Sequence, residues 1–453
     1  MIKRLFKHPL FYLLLLSFLM TSLPFVRYPL TDGDIEHWLY VAKDIRLHNT
    51  FLTSANDQGH GPLLGWTAGI LSKPFPNQLY VYNLFNLGCG LLGLVVMYLT
   101  AQRIWGKREA QLSTFLFSTS LVFVYLSRTP MYDWPTAIFY FIFGMLYLLY
   151  KLEHKRRYYV LGITSLAIAS LARFSIAMGL GLCFMALINL IFEKGFWKSL
   201  KSSTQDALMI VLGCILVNAP WVYGQIQAHG HDFLSIFLYD NFGRYIKEPG
   251  QQAVVRHDYY GFLAYVLIGI LPYTFAFLAT LFQKGLWSRI KNNQHQLAMM
   301  AGFLPCLIAF SFSGHVKLAR YIAYVFPFLF MFMAYEWVHF DLKNPKWRKK
   351  CAIMTLVMAV ILALLLASQA MLFSKEAKDA LLMVFGIIGL VFFLLFYSFY
   401  IFTKRYERLL ESPYTLLFPY TIAYTGFFLI LSFEYSRAGF LITVQNLLMR
   451  AIQ

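Results

Sequence analysis

Charge is scarce in this chain of 453 residues: 13% of them are Asp, Glu, Lys or Arg, against 59% hydrophobic. No polar stretch is long enough to make an ordinary soluble domain, which leaves a polytopic membrane protein. Acids are scarcer than bases, 21 against 39, for a formal charge of +18. The bases come as short clusters between apolar runs and form no single patch or arm, a pattern of membrane topology that excludes nucleic acid as a partner. The five cysteines, Cys89, Cys183, Cys214, Cys306 and Cys351, lack metal-ligand spacing and read as small core hydrophobes with no redox role. No convincing small-residue cleavage site follows the first apolar run, so it reads as a retained span and not as a removed signal peptide.

What is there in abundance is apolar sequence in lengths that cross a bilayer. Runs of roughly 20 residues fall near 9–26, 79–101, 109–126, 135–151, 158–172, 175–192, 207–223, 259–282, 296–312, 321–338, 353–372, 381–403 and 413–433. These predict an all-α bundle of about 13 transmembrane helices. Two shorter amphipathic pieces, 36–47 and 62–74, predict helices lying along the interface within the first long loop. Residues 1–433 form one transmembrane domain on this reading, and 434–453 a short extracytoplasmic tail, with no large soluble C-terminal domain.

Most of the Lys and Arg collect in alternate connections, at 3–7, 103–108, 151–157, 194–201, 284–291, 343–350 and 404–408. By the positive-inside rule that face is cytoplasmic, as is the N-terminus. The long loops at 27–78 and 224–258 then face the other side, and the expected location is a plasma membrane with an extracytoplasmic site. Such a site has no direct access to cytosolic ATP or nucleotide sugars.

The loop from Arg27 to Pro76 gathers Asp32, Asp34, Glu36, Asp44, Asp57 and His60 in an otherwise apolar chain. Further along the same face, the stretch S-R-T-P-M-Y-D-W-P holds Arg128 and Asp133 between two apolar runs. A carboxylate at that depth is costly unless paired, so Asp133 is a functional candidate, against the plainer reading that it pairs with Arg128 and caps the next helix. Pro135 suits a first helical turn. Arg173 interrupts a long apolar stretch, either as a snorkelling cation or as a phosphate contact. Asn241 and Arg244 precede one late span, and His315, Lys317 and Arg320 announce another. Several cations facing one loop of carboxylates point to an anionic substrate.

These stretches resemble the motifs of the GT-C integral-membrane glycosyltransferases, in particular the bacterial family that includes the lipid A aminoarabinose transferases and is related to the protein O-mannosyltransferases. Asp34-Ile35-Glu36-His37-Trp38 is similar to the family's opening D-E-x-x-Y, with Asp34 on its acid. His60-Gly61-Pro62-Leu63-Leu64-Gly65-Trp66 is similar to K-P-P-L-x-x-W, and Arg128 to Pro135 to R-x-x-x-x-D-x-P. Asn241 to Arg244 matches N-x-x-R ahead of Tyr259-Tyr260 and Gly269 to Pro272. Lys317-Leu318 with Tyr321 matches the late S-x-x-K-L-x-x-Y. Together they run in family order from residue 34 to 321. The departures are Ile35 for the second acid, His60 and Gly61 for the lysine and first proline, and Arg173 for a lysine, a planar fork in place of a point charge.

The resemblance implies a transferase that moves a sugar from a polyprenyl-phosphate donor to a lipid, glycan or protein acceptor, with inversion. The chemistry asks for a base, for which Asp34 is the candidate, and for cations that hold the leaving phosphate. Lys317, Arg320, Arg244, Arg173 and His60 are the candidates for the phosphate, with Glu36, Arg128, Asn241 and His315 in support. Asp133 is the second catalytic candidate, orienting the acceptor, binding a metal or positioning a cation. A divalent ion held by Asp34, Asp133 and His60 is the less favoured option, and no other cofactor is implied. A transporter or flippase of lipid-linked sugars would use similar residues, but predicts polar residues spread through the span midplanes and internal repeats. A non-catalytic envelope-assembly subunit would tolerate loss of Asp34.

Overall fold

The structure is a computed structural model that describes residues 35–53, 60–71, 78–127, 129, 131–243, 261–271, 273–312 and 319–341, with residues 11, 14, 15, 18 and 346 in isolation. Asp34, Arg128, Arg244, His315 and Lys317 lie outside the described residues, as do the spans expected at 353–372, 381–403 and 413–433 and the tail at 434–453.

Among the described residues all regular structure is helical. The first loop holds α1 (Ile35–His48) and α2 (Leu63–Leu71), matching the two expected interfacial pieces. They pack on each other and on the next helix through Ala42, Leu64, Ala68, Val81 and Tyr82. Then come α3 (Gln78–Ile104), α4 (Lys107–Ser118), α5 (Leu121–Leu126), α6 (Asp133–Glu153), α7 (Arg156–Ser170), α8 (Phe174–Phe192) and α9 (Phe196–Asn241). The remainder is α10 (Gly261–Gly269), α11 (Thr274–Leu281), α12 (Leu286–Lys291), α13 (Gln294–Phe312), a 3-10 segment Ala319–Val325, α14 (Phe326–Glu336) and one π-helical turn, Trp337–Asp341. Six helices among the described residues are long and apolar enough to cross a membrane.

Two expected spans are each broken, and the breaks satisfy one another. The run predicted as one helix over 109–126 parts at Thr119 and Ser120, and the run over 259–282 parts at 270–273. The amide of Leu121 donates to the carbonyl of Leu271 at 3.0 Å, and the Thr119 and Tyr273 hydroxyls lie 2.6 Å apart. In a bilayer an interrupted backbone survives only where protein supplies the missing partners. Here each break supplies the other's.

The helix α9 is two helices joined by a sharp bend at Gly230, whose φ of 62° and ψ of −140° no L side chain adopts comfortably. The bend folds Phe233 back onto Trp221, ring centroids 5.4 Å apart, although twelve positions along a straight helix would separate them by about 18 Å. Gly230→Ala forces the strained conformation or abandons the bend. The expected cost is about 1–3 kcal/mol, read as a lower unfolding midpoint in detergent.

The two ends of the bundle differ in chemistry. At one end Lys and Arg pair on the surface and just below it: Arg103 and Lys155 with Glu153, Lys151 and Lys198 with Glu193, and Arg289 with the buried Glu336. The other end carries the start of α6, the turn between α7 and α8, the 60–62 segment and the 3-10 segment, and there the ionisable groups go inward.

Candidate active site at one end of the bundle

Asn86 of α3 sets the position of the first site residue. Its amide donates to the carbonyls of Thr129 and Met131, and its own carbonyl accepts from the Trp134 indole at 3.0 Å. This clamp delivers Asp133 as the first residue of α6, with Pro135 in the first turn, where a missing N–H costs nothing. A carboxylate at a helix N-terminus also meets the favourable end of the helix dipole.

The turn 171–173 is held from three directions. The Leu63 amide donates to Leu171 O at 3.0 Å, and Gly61 approaches so closely that a Cβ on it would lie 2.1 Å from the same oxygen. Asn218 of α9 donates to the Ser170 hydroxyl at 2.7 Å. Asn241, at the far end of α9, accepts from the Ser175 amide at 3.3 Å and donates to Phe237 O at 3.0 Å. Asn241 thus braces the start of α8, a supporting role one step removed from Asp133. Arg173 is the residue this bracing positions.

The clamped elements bring four of the expected site residues together. Asp133 is fully buried and faces two guanidinium groups, Arg173 Nη1 at 3.3 Å from Oδ1 and Arg320 Nε at 3.5 Å from Oδ2. Arg173 Nη2 donates to the Tyr132 hydroxyl at 2.9 Å, and that hydroxyl lies 3.0 Å from His60 Nε2. The Arg173 guanidinium also lies over the rings of Tyr132 and Tyr321, at 4.5 and 5.0 Å from their centroids. Its Nε is buried without a hydrogen-bond partner. Arg320 contacts the Met131 sulfur at 3.6 Å.

Charge states follow from this packing. Burial acts to lower the Arg173 guanidinium's proton affinity, but the Asp133 carboxylate and the nearby tyrosines outweigh it and hold the group well above its ordinary value, so it is a permanent cation. Burial pushes the Tyr132 phenol up to about 12, with Arg173 pulling down and Asp133 adding to the rise. Tyr132 is therefore a neutral hydroxyl at physiological pH.

Of the remaining expected residues, Glu36 falls in the first turn of α1. Among the described residues no three His, Cys, Asp or Glu side chains gather as metal ligands. Both Asp133 oxygens face cations, which is a poor setting for a divalent ion. Tyr132 and Tyr321 were not singled out from the sequence for any role in the site; both stood inside quoted motifs, but in a chain with 30 tyrosines neither stands out by type.

The model of the family described as dolichyl-phosphate-mannose-protein mannosyltransferase matches residues 59–223, the stretch that holds His60, Asp133 and Arg173. Among solved structures, ArnT from Cupriavidus metallidurans bound to undecaprenyl phosphate aligns with a TM-score of 0.74 at 16% identity, over 93% of this chain and 76% of ArnT. The chain has the GT-C fold of the integral-membrane glycosyltransferases. The apo archaeal oligosaccharyltransferase of Archaeoglobus fulgidus shares the GT-C fold more distantly, with a TM-score of 0.50 at 13% identity, over 92% of this chain and 55% of that one. An uncharacterised protein of Aquifex aeolicus is 24% identical over 352 residues, 77% of this chain, and the chain spans 64% of that relative's length.

Proposed function

We propose that this protein transfers a sugar from a polyprenyl-phosphate donor to an acceptor hydroxyl, at the extracytoplasmic end of the bundle where His60, Asp133, Arg173 and Arg320 meet. The observation that carries the reading is the buried pair of guanidiniums held on one carboxylate, with Arg173 Nε–H left without a partner. A buried unsatisfied donor on a permanent cation is costly, and an incoming phosphate oxygen satisfies it. The fold neighbour solved with undecaprenyl phosphate supports a lipid-linked phosphate as the ligand.

On this reading Asp34 takes the proton of the acceptor hydroxyl as its oxygen attacks the anomeric carbon. The bond from that carbon to the phosphate oxygen breaks, the phosphate leaves with the electron pair, and attack from the opposite face inverts the centre. Arg173 and Arg320 stabilise the charge that grows on the leaving group, joined by Lys317 and Arg244 as the resemblance implies. Asp133 acts by positioning: it keeps two cations buried and aligned, and Tyr132 and Tyr321 wall the first of them.

The test is transfer of labelled sugar from membrane lipid extracts to an acceptor fraction, comparing the wild type with Asp34→Asn at matched amounts of folded protein. The expected loss is about 100-fold or more, the range for removing a general base. Normal transfer by Asp34→Asn would remove the base assignment, and movement of lipid-linked sugar across the bilayer without transfer would replace the reading with transport.

A further inference from the structure

Asn83 and Asn86 stand one turn apart on the same face of α3, and both are buried, 1% and 0% exposed. Asn86 uses its amide nitrogen on the carbonyls of Thr129 and Met131. Neither Nδ2 nor Oδ1 of Asn83 has a hydrogen-bond partner among the described residues. Asn86 Oδ1 is left over in the same way, and so is the buried hydroxyl of Ser127, which lies against α3 at Gly90. Four unused polar atoms thus gather on one buried stripe of α3, against the segment that delivers Asp133.

The Asn83 end of this stripe is the site end. Helix side chains tilt toward the N-terminus of their own helix, and the residues just before Asn83, Val81 and Tyr82, pack with Tyr132 and Ala172, the chain neighbours of Asp133 and Arg173. Met131, whose carbonyl Asn86 holds, carries the contact to Arg320. A buried carboxamide with every donor and acceptor unused is costly in the fold alone. What would satisfy it follows from its atoms: two N–H donors and one carbonyl acceptor on a single plane. A phosphate only accepts and would meet Oδ1 with a like partial charge, and a metal ion or ammonium would leave the N–H groups unused. Hydroxyls both donate and accept, and neighbouring hydroxyls on a sugar ring stand at a spacing that one amide spans. We propose that Asn83 is a specificity-determining residue that binds a hydroxyl pair of the transferred sugar, with Asn86 Oδ1 as a further acceptor. That Asn83 serves a ligand rests on its burial and its unused atoms; that the ligand is the sugar of the donor rests on the transferase reading.

The first readout is stability without any lipid-linked sugar. Asn83→Leu replaces an unused polar group by an apolar one of the same branching, and its unfolding midpoint in detergent is expected to equal or exceed that of the wild type. Asn86→Leu, one turn away, breaks the clamp on 129–131 and is expected to lower it. The second readout is selectivity. The full-length wild type and Asn83→Leu in nanodiscs are equilibrated with membrane lipid extract, and the retained lipids are read by mass spectrometry as the ratio of sugar-bearing to bare polyprenyl phosphate. The wild type is expected to enrich the sugar-bearing form over its share in the extract. Asn83→Leu is expected to lose about 10-fold of that enrichment, the equivalent of one or two hydrogen bonds, with retention of the bare polyprenyl phosphate unchanged.

A lower midpoint in both Asn83→Leu and the smaller Asn83→Ala makes the residue structural and overturns the inference. So does a wild type that shows no enrichment. Equal enrichment in the wild type and Asn83→Leu overturns the donor assignment: with a raised KM for acceptor in the transfer assay the hydroxyls belong to the acceptor, and with an unchanged KM Asn83 holds water only. Enrichment that depends on Asn83 in a protein that transfers no sugar leaves the inference standing and removes the transferase reading. Normal transfer with equal enrichment does the reverse.

Discussion

Asp133→Ala is expected to abolish transfer and to destabilise the fold by about 3 kcal/mol or more, the range for removing one member of a buried ion pair. The carboxylate has no exposure, and it is the described anion between Arg173, 8% exposed, and Arg320, 11% exposed. Deleting it removes the carboxylate that both guanidiniums face at the end of a helical bundle. Asp133→Asn keeps the shape and one acceptor oxygen, so it is expected to fold better and still to lose most of its transfer. Adding Arg320→Met to Asp133→Ala removes one of the two cations and is expected to recover part of the stability with no transfer. Unfolding midpoints and transfer rates on these three variants check the pattern. An Asp133→Ala protein as stable as the wild type would mean the guanidiniums are not held as described.

Gly61→Ala is expected to be nearly as damaging, although it changes no charge. The added carbon meets Leu171 O at 2.1 Å and Leu171 C at 2.6 Å, backbone atoms that cannot swing aside. Either the 60–62 segment or the 171–173 turn must shift, and each carries a site residue. Overpacking of this kind costs about 1–3 kcal/mol, and misplacing His60 against Arg173 by an ångström costs transfer about 100-fold. Gly88→Ala and Gly179→Ala, where a Cβ meets nothing within 4 Å, are the matched controls and are expected to leave both stability and transfer close to wild type. Equal behaviour of Gly61→Ala and these controls would contradict the close approach.

The described part of the bundle was largely legible in the chain, because apolar length is a direct signal. The expected runs at 79–101, 135–151, 175–192 and 296–312 are helices with ends within a few residues, and the shorter amphipathic pieces expected at 36–47 and 62–74 hold the helices α1 and α2. The breaks at 119–120 and 270–273 were not legible. Each is stabilised by the other through the Leu121 to Leu271 hydrogen bond, a contact between segments about 150 residues apart that leaves no local pattern.

The site followed the same division. Asp133 and Arg173 stood out as ionisable groups in apolar surroundings, His60 and Arg320 as members of polar clusters, and the structure brings the four together. What joins them did not stand out. Tyr132 links His60 to Arg173, Asn86 aims the segment that carries Asp133, and Asn218 braces the turn behind Arg173, whereas Asn241, which braces the start of α8, was expected in support from its motif. Neutral side chains of common types become informative only once the partners they reach are known.

The central claim is that Arg173 and its neighbours hold the phosphate of a lipid-linked donor. Its most direct test is the titration of a polyprenyl phosphate into the purified protein in nanodiscs, wild type against Arg173→Lys. Lysine keeps the charge but cannot reach Asp133, Tyr132 and a phosphate oxygen at once with a planar fork. Affinity is expected to weaken by about 10-fold or more, the equivalent of one charge-assisted hydrogen bond. Equal affinity in the two proteins would place the phosphate elsewhere and contradict the account.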